Sequence, residues 1–137
     1  MNHFIDTSAL YAVLDANDAN HKSAKLEWYR SLDENTRFFC HNYILVETIA
    51  LLQSRIGLKA VRTLHQDVLS VIETLWITEE IHDAGMSALL AAPRRKVSLV
   101  DCMSFEVMRR YGIRSAFAFD PHFSEQDFLL IPSPTAE

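Results

Sequence analysis

Short apolar runs alternate along this chain with longer stretches whose apolar residues recur every three to four positions. The runs His3–Ile5, Arg37–His41, Val71–Ile77, Ser115–Phe119 and Phe128–Ile131 predict strands. The stretches Ser8–Leu14, His21–Leu32, Tyr43–Ile56, Leu58–Leu69, Glu79–Ala91 and Ser98–Tyr111 predict helices. In Tyr43–Ile56 the apolar stripe is Leu45, Ile49, Leu52 and Ile56, and Gly57 follows it as a stop. Gly112 and Pro93 punctuate the later helices in the same way. Strands separated by helices need crossover connections, which make a mostly parallel sheet covered on both faces. Ligands of such sheets bind beyond the carboxyl ends of the strands.

The chain has 137 residues, with 49% hydrophobic and 23% charged, which is enough for one self-sufficient core. The expectation is a single domain over residues 1–132 and a short frayed tail over 133–137. Cys40 and Cys102 have no metal or redox spacing. No apolar run is long enough to span a bilayer, and the Met1–Asp6 start lacks the pattern of a secretory signal. A cytoplasmic protein without a membrane partner is expected. The net charge of −5 ordinarily argues against nucleic-acid partners. Yet removing Asp6, Glu47, Asp101 and Asp120 from the 18 acidic residues leaves 14 against 13 basic. The excess is accounted for if those four form one cluster that cations neutralise.

Asp6 and Asp120 each follow a predicted strand, Asp101 opens a helix, and Glu47 lies in the second turn of another. Each has an ordinary structural role open to it. Asp6 can cap the next helix with Ser8, Asp120 can cap before Pro121, and Ser98 with Asp101 fits a capping box. Glu47 has no basic neighbour three or four residues away, so no local ion pair explains it. Several acids at one sheet edge repel one another unless a cation is present. Oxygen ligands suit Mg²⁺ or Mn²⁺, and the six histidines include no His-x-x-x-His pair that would suggest zinc. The reaction class such a cage serves is metal-assisted phosphodiester hydrolysis with water as nucleophile.

Four segments occur in order along the chain: Phe4-Ile5-Asp6-Thr7-Ser8-Ala9-Leu10, Val46-Glu47-Thr48, Leu99-Val100-Asp101-Cys102 and Phe119-Asp120-Pro121-His122-Phe123. In composition and spacing they resemble the PIN-domain nucleases, especially the VapC-type toxins of bacterial toxin–antitoxin pairs. The resemblance covers nearly the whole chain. It implies a PIN-like three-layer α/β/α sandwich around a mostly parallel sheet of about five strands. It further implies an Mg²⁺- or Mn²⁺-dependent endoribonuclease, a cognate antitoxin as partner, and a homodimer. Asp6, Glu47, Asp101 and Asp120 would be the catalytic and metal-binding quartet, with Ser8 in support. The family often has Gly where this chain has Asp127, a residue type that tolerates left-handed backbone.

Arg94-Arg95-Lys96 precedes the Asp101 helix and could clamp an RNA backbone or simply be a solvated loop. His122 could contact a phosphate or only order its loop. Arg109 and Arg110 read as helix C-terminal cations, with Glu106 placed to pair with Arg110. Cys102 reads as a small buried hydrophobe. Two rivals stand beside the nuclease. One is a receiver-type Mg²⁺-binding phosphoacceptor domain, which needs a lysine at the end of its last strand, whereas the last lysine here is Lys96. The other is a PIN-like module that binds RNA or protein without cutting.

Overall fold

The computed structural model describes residues 1–92 and 96–134. Five strands are β1 (Asn2–Ile5), β2 (Arg37–His41), β3 (Ile72–Leu75), β4 (Ser115–Phe117) and β5 (Leu129–Ile131). They form one sheet in the order β3-β2-β1-β4-β5, and every neighbouring pair is parallel. The helices among the described residues are α1 (Thr7–Leu14), α2 (His21–Asp33), α3 (Asn42–Arg55), α4 (Leu58–Thr63), α5 (Glu79–Ala91), α6 (Leu99–Tyr111) and α7 (His122–Glu125). This is the expected α/β architecture. Among the described residues, no helix is long and apolar enough to cross a membrane.

Three consecutive residues are buried in β1 and in β4. Successive strand side chains point to opposite faces, so helices must cover both sides of the sheet. Phe4, Phe38, Phe117 and Phe123 are among the largest fully buried side chains. Phe38 stacks on Trp28 of α2 with centroids 5.2 Å apart, and Phe123 meets the edge of Phe105 of α6 at 5.3 Å.

The strand order determines where a site can form. The chain runs from β1 to β2 to β3 on one side, then crosses over to lay β4 against the other side of β1. The order reverses between β1 and β4, and in parallel sheets ligands bind at such a reversal, beyond the carboxyl ends of the strands. Asp6 follows β1 and Asp120 lies three residues past β4. A receiver-type sheet has the order 2-1-3-4-5, in which the first strand pairs with the third. Here β1 pairs with β2 and β4, and Pro132 follows β5, so the receiver reading is set aside.

Several boundaries differ from the sequence pattern. The run Ser115–Phe119 leaves the sheet after Phe117. Ala118 still donates to the Ile131 carbonyl at 3.2 Å, but the Phe119 N–H turns to the Ser8 hydroxyl at 3.0 Å. Val71–Ile77 contracts to Ile72–Leu75, and the Ile77 N–H is taken by Oδ1 of Asn42 at 2.6 Å. Leu58–Leu69 is α-helical only to Thr63. It continues as a π turn over Leu64–Val68, which buries both end residues, and a 3₁₀ turn over Leu69–Val71. On α3 the fully buried line is Ile44, Thr48 and Leu52, while Ile56 of the expected stripe is exposed. Helix α7 starts at His122, so Pro121 holds the cap position expected of Asp120. Asp127 does adopt a left-handed φ of 68°. The Glu106–Arg110 pair is present at 2.8 Å. Residues 135–137 of the expected tail lie outside the described residues.

Truncating Phe123 removes the ring that Phe4 and Phe105 pack against. Phe123→Ala is expected to lower unfolding free energy by about 3–5 kcal/mol, measured by denaturant titration.

Candidate functional site

Asp6 is the N-cap of α1, in extended backbone. Its Oδ2 accepts the Ser8 N–H at 3.2 Å and the Ser8 hydroxyl at 2.7 Å. Ser8 Oγ in turn accepts the Phe119 N–H. The Asp6 N–H donates to the Phe117 carbonyl at 3.0 Å. The capping role and the site role are therefore compatible. The bonds that start α1 also tie the end of β1 to the segment leading to Asp120.

Asp101 sits in the first turn of α6 within a complete capping box. Its Oδ2 accepts the Ser98 N–H at 3.0 Å, and its own N–H donates to Ser98 Oγ at 3.1 Å. Asp120 Oδ1 accepts the His122 N–H at 2.9 Å, which orders the turn into α7. His122 Nδ1 lies 2.9 Å from Asp120 Oδ1 and 3.7 Å from Asp101 Oδ2. Neither contact is a hydrogen bond, so this buried nitrogen has no hydrogen-bond partner among the described residues. One ligand atom from each of Asp101, Asp120 and His122 lies within 4.8 Å of the others.

Burial raises the Asp6 carboxyl to about 7; the Ser8 hydrogen bonds oppose this, and Asp101 and Asp120 add repulsion. Burial likewise raises Asp101 against the Ser98 N–H, with Asp120 adding repulsion. The His122 ring opposes the rise at Asp101, and its Nδ1, without a hydrogen bond among the described residues, faces Asp101 and Asp120. Carboxylates with one imidazole nitrogen form a donor set that accepts a divalent cation. The residues present therefore fit such an ion. The turn that presents Asp120 also brings the His122 ring beside the oxygens of Asp101 and Asp120.

Glu47 is half-buried on α3, and its carboxylate is not part of the group formed by Asp101, Asp120 and His122. Its helix turn is fastened nearby, since the buried Thr48 hydroxyl donates to Thr7 Oγ1 at 3.1 Å. Thr7 follows Asp6 and Thr48 follows Glu47. Lys96 is exposed in the turn before α6, while Arg94 and Arg95 lie outside the described residues. Cys102 is buried, and burial with the Asp101 charge raises its thiol, in keeping with a packing role. The Thr7–Thr48 pair and a second buried pair, His41 with Ser104, carry no periodic signal, because their partners are 41 and 63 positions apart.

A cluster of carboxylates and one imidazole at the switch point of a parallel sheet defines an α/β protein with an acidic group of side chains that could hold a metal ion. The chain belongs to the PIN-domain family, whose model matches residues 3–129. It is 35% identical over 127 residues to VapC20 of Mycobacterium tuberculosis, a 23S rRNA-specific endonuclease, across 92% of this chain and 95% of that protein. The crystal structure of VapC20, a sarcin-ricin-loop-cleaving toxin, matches with a TM-score of 0.81 and 32% identity over 94% of this chain and 97% of that one. VapBC2 from Rickettsia felis, solved with a DNA fragment from its promoter, matches at 0.68 with 9% identity over 95% and 97% and shares the fold.

A carboxyl raised in the folded protein stabilises the fold while it keeps its proton and loses that contribution as pH rises. The stability of the metal-free protein relative to Asp6→Asn should therefore fall as pH rises from about 4 to about 7. Denaturant midpoints of both proteins across that range measure it. A flat difference contradicts the assignment.

Proposed function

We propose that this protein is a divalent-metal-dependent endoribonuclease and the toxin of a VapBC-type toxin–antitoxin pair. The observation that carries the reading is the convergence of the Asp101, Asp120 and His122 ligand atoms within 4.8 Å, beside the buried Asp6. The likeness to VapC20 makes a ribosomal RNA loop the first substrate to test.

Asp6, Glu47, Asp101 and Asp120 would hold Mg²⁺ or Mn²⁺. When bound, such an ion lowers the pKa of water and neutralises charge developing on a phosphate. The remaining work belongs to the chain. Ser8 pins one oxygen of Asp6, and Ser98 pins one oxygen of Asp101, so both carboxylates keep a fixed orientation. His122 turns Nδ1 toward Asp120 and Asp101 and offers its other ring nitrogen to the substrate phosphate. Arg94, Arg95 and Lys96 are proposed to contact the RNA backbone ahead of α6.

The proposed partners are RNA, a cognate antitoxin and a second copy of the chain, in the cytoplasm. Leu26 and Tyr29 are exposed three residues apart on α2, and Trp76 and Leu90 are also exposed. These apolar side chains are of the kind that assembly covers.

The purified protein should cut RNA containing the ribosomal loop in Mg²⁺ or Mn²⁺, and excess chelator should stop it. Asp6→Asn and Asp101→Asn should each reduce cleavage at least a hundredfold, roughly the effect of losing a key electrostatic contact, with folding retained. Activity that survives these changes contradicts the reading. Binding without any cutting by the native protein points to a non-catalytic module. Replacing Arg94, Arg95 and Lys96 with Ala should reduce the salt slope of RNA binding by about 2, the release expected from three lost phosphate contacts.

A further inference from the structure

The mechanism above does not use the most deeply buried polar side chains near the site. His41 and Ser104 are both completely buried. His41 ends β2 and is the N-cap of α3, where its Nδ1 accepts the Ile44 N–H at 3.3 Å. With Nδ1 accepting, Nε2 carries the proton and donates to Ser104 Oγ at 2.9 Å. Ser104 then donates to the Val100 carbonyl at 3.0 Å. The relay starts three residues before Glu47 and ends on the peptide that joins Val100 to Asp101. The ring is further held against Phe4 at 5.7 Å and the edge of Tyr43 at 6.0 Å.

We propose that His41 and Ser104 are positioning residues that lock α3 to the first turn of α6, and so set the Asp101 carboxylate and the turn carrying Glu47 in mutual register. This rests on the metal-nuclease reading of the site. Three observations support a role beyond cohesion. The relay joins two helices whose sequence positions are far apart. The Ile44 N–H fixes the tautomer of the His41 ring, which gives Nε2 and the Ser104 hydroxyl defined donor roles. The relay's end point is the backbone of a proposed ligand, where a displacement of a few tenths of an ångström changes what the carboxylate can reach. Burial lowers the His41 ring to about 3, so the relay keeps one protonation state across the working range. Partners that hydrogen-bond a ligand directly weaken metal affinity by roughly 10–100-fold when removed, and a contact on the adjoining peptide is expected at the lower end of that range.

The test is Mn²⁺ affinity of the full chain, by calorimetry, at a temperature where circular dichroism finds each variant folded. Ser104→Ala is expected to weaken Mn²⁺ binding by about 10-fold or more, and to lower kcat for RNA cleavage while leaving the RNA KM near its native value. Ser104→Cys keeps the side-chain size with a weaker hydrogen bond, should fall between the two, and decides the matter if the alanine variant does not fold. Ile72→Val on β3 is the control for general destabilisation and should keep native Mn²⁺ affinity. Native affinity in Ser104→Ala or Ser104→Cys overturns the proposal, and so does an equal loss in Ile72→Val. If the native protein itself neither binds Mn²⁺ nor cuts RNA, it is the nuclease reading that fails.

Discussion

Repulsion between carboxylates gathered at one end of the sheet is the constraint around which this molecule is organised. Asp6 and Asp101 are nearly fully buried, and Asp120 adds its charge to both. Left alone, such groups hold protons or destabilise the fold as they ionise. The arrangement persists because backbone geometry enforces it. The reversal of strand order between β1 and β4 delivers Asp6 and Asp120 to one place, and a capping box delivers Asp101. We propose a divalent cation as the compensation for this donor set, and metal-assisted phosphodiester hydrolysis is the chemistry such an ion would supply.

Hydrogen bonds that begin secondary structure are reused here to aim side chains. Ser8 serves the cap of α1 and also draws Phe119 out of the sheet, shortening β4 and freeing the chain to reach Asp120. Ser98 begins α6 and orients Asp101 in the same pair of bonds. The Thr7–Thr48 bridge and the His41–Ser104 relay work at longer range, fixing α3 against α1 and α6. For Asp6 and Asp101, the contacts that cap a helix are thus also the ones that orient the carboxylate.

The positions of Asp6, Asp101 and Asp120 were legible in the sequence because strand ends, caps and helix starts are local events. The five strands and their parallel pairing were legible for the same reason: alternation of short apolar runs with helical stretches leaves few topologies. The inward turn of His122 was not, since it depends on Asp120 bonding the backbone two residues on. The relation of Glu47 to the other acids was also hidden, because it depends on how α3 packs and not on its own pattern. The buried line of that helix runs through Thr48, a residue whose polarity argues for the surface until its partner Thr7 is known. The π turn over Leu64–Val68 had no sequence signature apart from apolar residues that fit an ordinary helix equally well.

Anomalous diffraction from crystals of this protein soaked in Mn²⁺ tests the account most directly. The account places a Mn²⁺ peak beyond the carboxyl ends of β1 and β4, in contact with oxygens of Asp6, Asp101 or Asp120. Full-occupancy Mn²⁺ elsewhere with that site empty would contradict it.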